Sequence, residues 1–198
     1  MPTLDFWFSI GSTYTYLSVM RIGALAKTEG VDVRWRPFSV RAIMQEANYT
    51  PFVGKPAKMA YMWRDIERRA EGSSLSPKLP APYPLEHFDL ANRVATVAAA
   101  ENWCPELVVA SYRYWFEQGI PAGSEDHLRR ALSDCNQDYA AVIGRAVSPE
   151  TEALYLQATT DAKQLGIFGS PSFVVGDGEL FWGDDRLEDA IRYLQDAA

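Results

Sequence analysis

Apolar and polar residues alternate at the start of the chain. Leu4, Phe6, Phe8 and Ile10 are separated by Asp5, Trp7 and Ser9, which predicts a strand over residues 3–10. The spacing then changes to three and four, at Leu17, Met20 and Ala24, predicting a helix over 14–29 that Gly30 stops. Alternation returns in Val31, Val33 and Trp35, a second strand over 31–36. A strand, a helix and a strand in such quick succession favour a parallel pair joined by a right-handed crossover.

The stretch 39–147 has almost no period-2 pattern. Helical spacing marks 56–71, 85–103, 105–118, 124–134 and 137–146. Leu90, Val94, Val97 and Ala98 share one face, and Leu107, Val108, Tyr112, Trp115 and Phe116 another. Ser73 to Pro84 holds four prolines and reads as an irregular loop. Beyond it, Ser148-Pro149-Glu150 has the form of a helix N-cap followed by Pro in the first turn. Leu154, Ala158, Ala162 and Leu165 predict the buried face of that helix. Ser172–Val175 and Glu179–Trp182 are two short strands, with Gly176-Asp177-Gly178 as a hairpin turn. A last helix over 186–196 buries Leu187, Ala190, Ile191 and Leu194. Without the central helices the order is βαβαββα. The predicted fold class is therefore α/β: a thioredoxin-like unit (1–38 and 148–198) with an inserted all-helical subdomain (39–147).

Composition narrows the partners. With 47% hydrophobic residues the chain has ample material for a core, and a net charge of −7 disfavours nucleic acid or an anionic membrane. The chain shows no secretory leader and no apolar run of membrane-spanning length, so a cytoplasmic location is expected. Cys104 and Cys135 form no Cys-x-x-Cys and no ligand spacing, and no metal site is expected. Cys104, before Pro105, reads as a small buried hydrophobe, and His87 and His127 as packing or solvent-facing residues.

Four segments carry candidate chemistry. Gly11-Ser12-Thr13 lies where the first strand meets the first helix, the place of the redox cysteines in thioredoxin-like folds. A hydroxyl there either caps the helix or donates to a thiolate held at the positive helix end. Gly169-Ser170-Pro171 precedes a strand. Pro171 there is either plain punctuation or a cis-proline facing that turn, with Ser170 exposing its backbone. Asp184 and Asp185 suit a first helical turn or a site for an ammonium group. Asn48 to Pro51 and Lys55 to Lys58, followed by Tyr61, Arg64 and Asp65, are solvated surface residues, or a Lys among them binds a ligand carboxylate.

Taken in order, these segments resemble the 2-hydroxychromene-2-carboxylate isomerases and kappa-class glutathione transferases, of the DsbA-like branch. The resemblance runs through Asp5-Phe6-Trp7-Phe8, Ser12-Thr13-Tyr14-Thr15-Tyr16-Leu17, Arg36-Pro37-Phe38, Asn48 to Pro51, Pro56-Ala57-Lys58, Ala91 to Ala95, Gly169 to Val175 and Phe181 to Leu187. It implies glutathione as cofactor, with Ser12 on its sulfur, Ser170 beside cis-Pro171 on its backbone, and Asp184 and Asp185 at its γ-glutamyl end. Asn48 and Lys58 match positions near the glutathione or the substrate carboxylate. Ser9 stands where the family has Asp, Thr13 where it has Pro, and residues 85–89 lack an expected polar segment.

The implied activity is glutathione-dependent isomerisation of 2-hydroxychromene-2-carboxylate or a related aromatic compound, by thiolate addition, bond rotation and elimination. An apolar cleft walled by Tyr14, Tyr61 and Trp182 would hold the ring, and homodimers among relatives imply a second copy as partner. The alternatives are a kappa-class-like glutathione transferase or peroxidase, and a non-catalytic binding module. A disulfide oxidoreductase is opposed by Ser12, since that chemistry needs a thiol at the turn.

Overall fold

The computed structural model describes residues 1–52, 54–176 and 178–196. Asp177, in the expected hairpin turn, lies outside them. Among the described residues four strands form one sheet in the order β2-β1-β3-β4. They are β1 (Thr3–Phe8), β2 (Asp32–Pro37), β3 (Ser172–Val175) and β4 (Glu179–Trp182). β1 and β2 are parallel, with Phe6 opposite Trp35, while β3 runs antiparallel to both β1 and β4. The linking helix α1 (Thr15–Glu29) ends at Gly30, whose φ of +66° is the left-handed value of a helix stop.

Alternation along β1 gives it two environments. Leu4, Phe6 and Phe8 are wholly buried in the main core with Leu17 and Ile22 of α1 and with Leu187 and Ile191 of α9 (Leu187–Asp196). Phe6 stacks on Phe173 with ring centroids 5.4 Å apart. On the other face Trp7 packs with Phe38, Val40, Ala162, Ile167 and Val174 in a smaller core.

Between β2 and β3 the chain is helical: α2 (Val40–Glu46), α3 (Pro56–Gly72), α4 (Phe88–Ala100), α5 (Cys104–Tyr112), α6 (Glu125–Asp134), α7 (Tyr139–Ala146) and α8 (Pro149–Gln164). α5 runs on into a π-helical turn, Arg113–Glu117. The proline-rich loop is irregular as expected, and Trp115 Nε1 donates to Pro82 O at 2.8 Å to pin it. Among the described residues one buried cluster runs through both parts of the fold, from Leu4 of β1 to Trp115.

Three expectations change. The first strand stops at Phe8, because Ser9 to Tyr14 form the turn that leads into α1. Helix α2 was not predicted. It is seven residues long, buries only Val40 and is held by its Ser39 cap, so it has no periodicity to read. The buried face of α8 is Thr151, Tyr155, Thr159 and Ala162, whereas Leu154 and Leu165 are exposed. Hydroxyl pairing decides this: Ser39 N–H donates to Thr159 Oγ1 at 3.0 Å, and Thr159 Oγ1 to Tyr155 O.

Candidate functional site

The turn between β1 and α1 is held by buried groups from the inserted helices. Asn92 of α4 is fully buried, and its carboxamide accepts from Ile10 N–H and donates to Ile10 O, both at 2.8 Å. Tyr112 of α5 directs its hydroxyl at Ser9 O (3.2 Å) and Ser12 O (3.0 Å). Burial pushes the Tyr112 phenol far above its ordinary value, so it remains a proton donor. Gly11 has φ +119°, a backbone conformation that L side chains rarely adopt, and it lies against the Phe88 side chain.

At this turn the hydroxyls do not cap α1, whose N-terminus has no side-chain cap. Thr13 Oγ1 donates to Met62 Sδ. Ser12 is partly exposed, and its Oγ donates to Ser170 O at 2.6 Å. The first helical donors are Tyr16 and Leu17, bonded to Thr13 O and Tyr14 O. The N–H groups of residues 13–15 therefore have no carbonyl acceptor within the helix and give the corner a positive end.

Facing Ser12 across the corner, the Ser170–Pro171 peptide is cis. Ser170 Oγ accepts from Ser9 N–H at 2.9 Å and shares a hydrogen bond with Thr15 Oγ1. Gly183 N–H donates to Pro171 O at 3.0 Å, which brings the segment of Asp184 and Asp185 alongside. A Cβ at Gly169 would run into the Trp182 indole nitrogen, so that position needs glycine. Trp182 is 52% exposed and packs edge-on against Phe168.

The two acidic residues differ. Asp184 is 2% exposed, and its carboxylate is taken by Arg21 of α1 at 3.0 Å, by Arg69 of α3 and by Ser18 Oγ. Burial pushes its carboxyl above the ordinary value, against the pull of the two guanidiniums. Asp185 is exposed and pairs with Arg186. Partial burial acts to raise its carboxyl, but Arg186, its own N–H and Arg69 together hold it below the ordinary value, so it stays charged. Tyr14 donates to Asp65 at 3.0 Å, and burial pushes its phenol up.

The structure thus brings Ser12, Ser170, Pro171 and the 184–185 segment together. Asn48, just after α2, and Lys58, in the first turn of α3, are both exposed. Asn48 has φ +51° just past the end of α2, and Lys58 Nζ donates to Tyr49 OH at 2.9 Å. Among the described residues no hydrogen bond joins them to the Ser12–Ser170 pair. Sequence reasoning put Tyr112 on a helix face and Asn92 in a matched run, but gave neither a role at this turn. It also missed Arg41 of α2, whose guanidinium stacks 3.6 Å from the Phe88 ring centroid on the element that backs Gly11. A surface cavity of about 500 Å³ lies elsewhere, lined by Asp5, Arg34, Leu165 and Val174 among others, and includes none of these residues.

Fold and corner define a thioredoxin-fold protein whose strand-to-helix turn presents an alcohol where redox chemistry requires a thiol. The chain belongs to the DSBA-like thioredoxin domain family, which matches residues 3–195. It is 30% identical over 196 residues to 2-hydroxychromene-2-carboxylate isomerase of Sphingobium xenophagum, covering 98% of each chain. It is 31% identical over 208 residues to glutathione S-transferase kappa 1 of Caenorhabditis elegans, covering 98% of this chain and 92% of that one. The solved structure of a 2-hydroxychromene-2-carboxylate isomerase superposes with a TM-score of 0.85 at 25% identity, again covering 98% of each chain. Among the described residues no helix is long and apolar enough to cross a membrane.

Proposed function

We propose that the protein is a glutathione-dependent isomerase of 2-hydroxychromene-2-carboxylate or a related aromatic compound. One observation carries the reading: the Ser12 hydroxyl stands at the open N-terminus of α1 and opposite the Ser170 carbonyl, in a chain related along its whole length to an isomerase of that name. Residues 1–38 and 148–198 would supply the thiol corner, and 39–147 the substrate side.

The corner suits a peptidic thiol. Glutathione, when bound, supplies the sulfur nucleophile that adds to the substrate and leaves after bond rotation. Ser12 donates its proton toward the negative sulfur, and the N–H groups of residues 13–15 add field of the same sign. The Ser170 backbone faces the same corner beside cis-Pro171. Asp185, with its exposed and ionised carboxylate, receives the γ-glutamyl ammonium, while the buried Asp184 sets the position of Arg21 and Arg69. Arg41, Lys58 and Asn48 are the polar groups proposed for a substrate carboxylate, and Tyr14, Tyr61 and Trp182 the walls for its ring.

The experiment is conversion of 2-hydroxychromene-2-carboxylate with and without glutathione, by the wild type and by Ser12→Ala. Turnover should require glutathione, and loss of the hydroxyl should lower kcat about a hundredfold, as for removal of one transition-state donor. Equal turnover by the two proteins would remove Ser12 from the mechanism. The identity to a kappa-class transferase supports a second reading, glutathione transfer at the same corner. A stable conjugate among the products, in place of an isomer, selects it.

A further inference from the structure

The Ser12 hydroxyl has one hydrogen. It is committed to the Ser170 carbonyl at 2.6 Å. The rest of the corner is locked around this bond. Ser12 N–H donates to Ser9 O, and Ser12 O accepts from Tyr112. Ile10, two residues earlier, is held on both its N–H and its C=O by Asn92. With its backbone N–H and C=O both held, Ser12 keeps the freedom to turn its side chain. The Ser170 hydroxyl offers no substitute, since it is engaged with Ser9 N–H and Thr15 on the other side.

The same proton cannot serve Ser170 and a ligand sulfur at once. If Ser12 turns to the sulfur, a partly buried carbonyl loses its donor, which is unfavourable unless another donor takes its place. We infer that the Ser170 carbonyl is a specificity-determining group: it releases the Ser12 hydroxyl only to thiols that bring a backbone N–H to replace it. Sulfur activation is thereby coupled to recognition of a peptide bond, and simple mercaptans leave Ser12 on Ser170. The inference rests on the glutathione reading and adds the exchange to it.

The test is isothermal titration of two peptides against the wild type and Ser12→Ala. One is glutathione; the other is γ-glutamyl-alanyl-glycine, which keeps every N–H and lacks the sulfur. Ser12→Ala should weaken glutathione binding about tenfold, the size of one lost hydrogen bond to a charged group. The same substitution should tighten the sulfur-free peptide severalfold, because its N–H then satisfies a carbonyl that the substitution has left without its hydroxyl donor. This crossing of signs is not produced by a merely structural role for Ser12. An unchanged or weakened affinity of Ser12→Ala for the sulfur-free peptide overturns the exchange, as does binding of that peptide to neither protein. Either result leaves the glutathione reading standing when glutathione itself binds the wild type, and absence of that binding defeats both.

Discussion

Asn92 shows how one side chain fixes the turn at the candidate site. Its carboxamide satisfies Ile10 N–H and Ile10 O and also donates to Phe88 O at 2.9 Å, all away from water. A substitution that removes the side chain leaves several buried backbone groups without partners. Asn92→Ala should therefore lower unfolding stability by about 2 to 4 kcal/mol, read from urea denaturation. A loss below about 0.5 kcal/mol, the range of an ordinary surface change, would mean the clamp is not what holds the turn. A hint of this role was present in the sequence. Asn92 interrupts an apolar helix face formed by Ala91, Val94, Ala95 and Ala98, and a polar residue on such a face has to find a partner. Its partner, eighty-two residues away, could not be named.

Elements were legible where local chemistry specifies them. Gly30 ends α1, Ser148 and Pro149 begin α8, and the alternation of Leu4, Phe6 and Phe8 is the buried face of β1. They were illegible where tertiary pairing decides. α8 turns Thr159 inward because Ser39 supplies the N–H it accepts, and no helical pattern encodes that. His127 on α6 is a similar case. The sequence suggested packing or solvent contact for it, and the structure buries it with Nδ1 accepting from Gly123 N–H and Nε2 beside Ser111 O at 3.0 Å. Nε2 is therefore the protonated nitrogen of a neutral ring.

Burial lowers the His127 pKa from 6.5 to about 4. The unfolded chain then binds the extra proton first, so stability present above 6.5 is lost as pH falls toward about 4. The loss should approach roughly 3 kcal/mol. Urea midpoints measured across this window should decline for the wild type and flatten for His127→Gln, which cannot take up the proton. Equal slopes would assign the acid sensitivity to other groups.

At the scale of the molecule, the thioredoxin-like unit and the inserted helices act as one body. A single buried cluster crosses between them, and Asp184 ties Arg21 of α1 to Arg69 of α3. The corner itself is assembled from three distant parts of the chain: the turn at Ser12, the clamp at Asn92 and Tyr112, and the loop at Ser170. The order of elements made the architecture readable, and the ordered motifs made Ser12 and Ser170 readable as candidates. The bond between those two serines was not, because each residue type has ordinary local uses at such positions.

On the proposed function, this corner stabilises the negative charge of a thiol that the ligand supplies. This stabilisation is tested most directly by the pKa of glutathione's thiol when bound, read from thiolate ultraviolet absorbance during a pH titration. In the wild type the bound thiol should titrate about one to two units below free glutathione, with most of the shift lost in Ser12→Ala. A bound thiol that titrates like the free one, or a shift untouched by removal of the Ser12 hydroxyl, would contradict it.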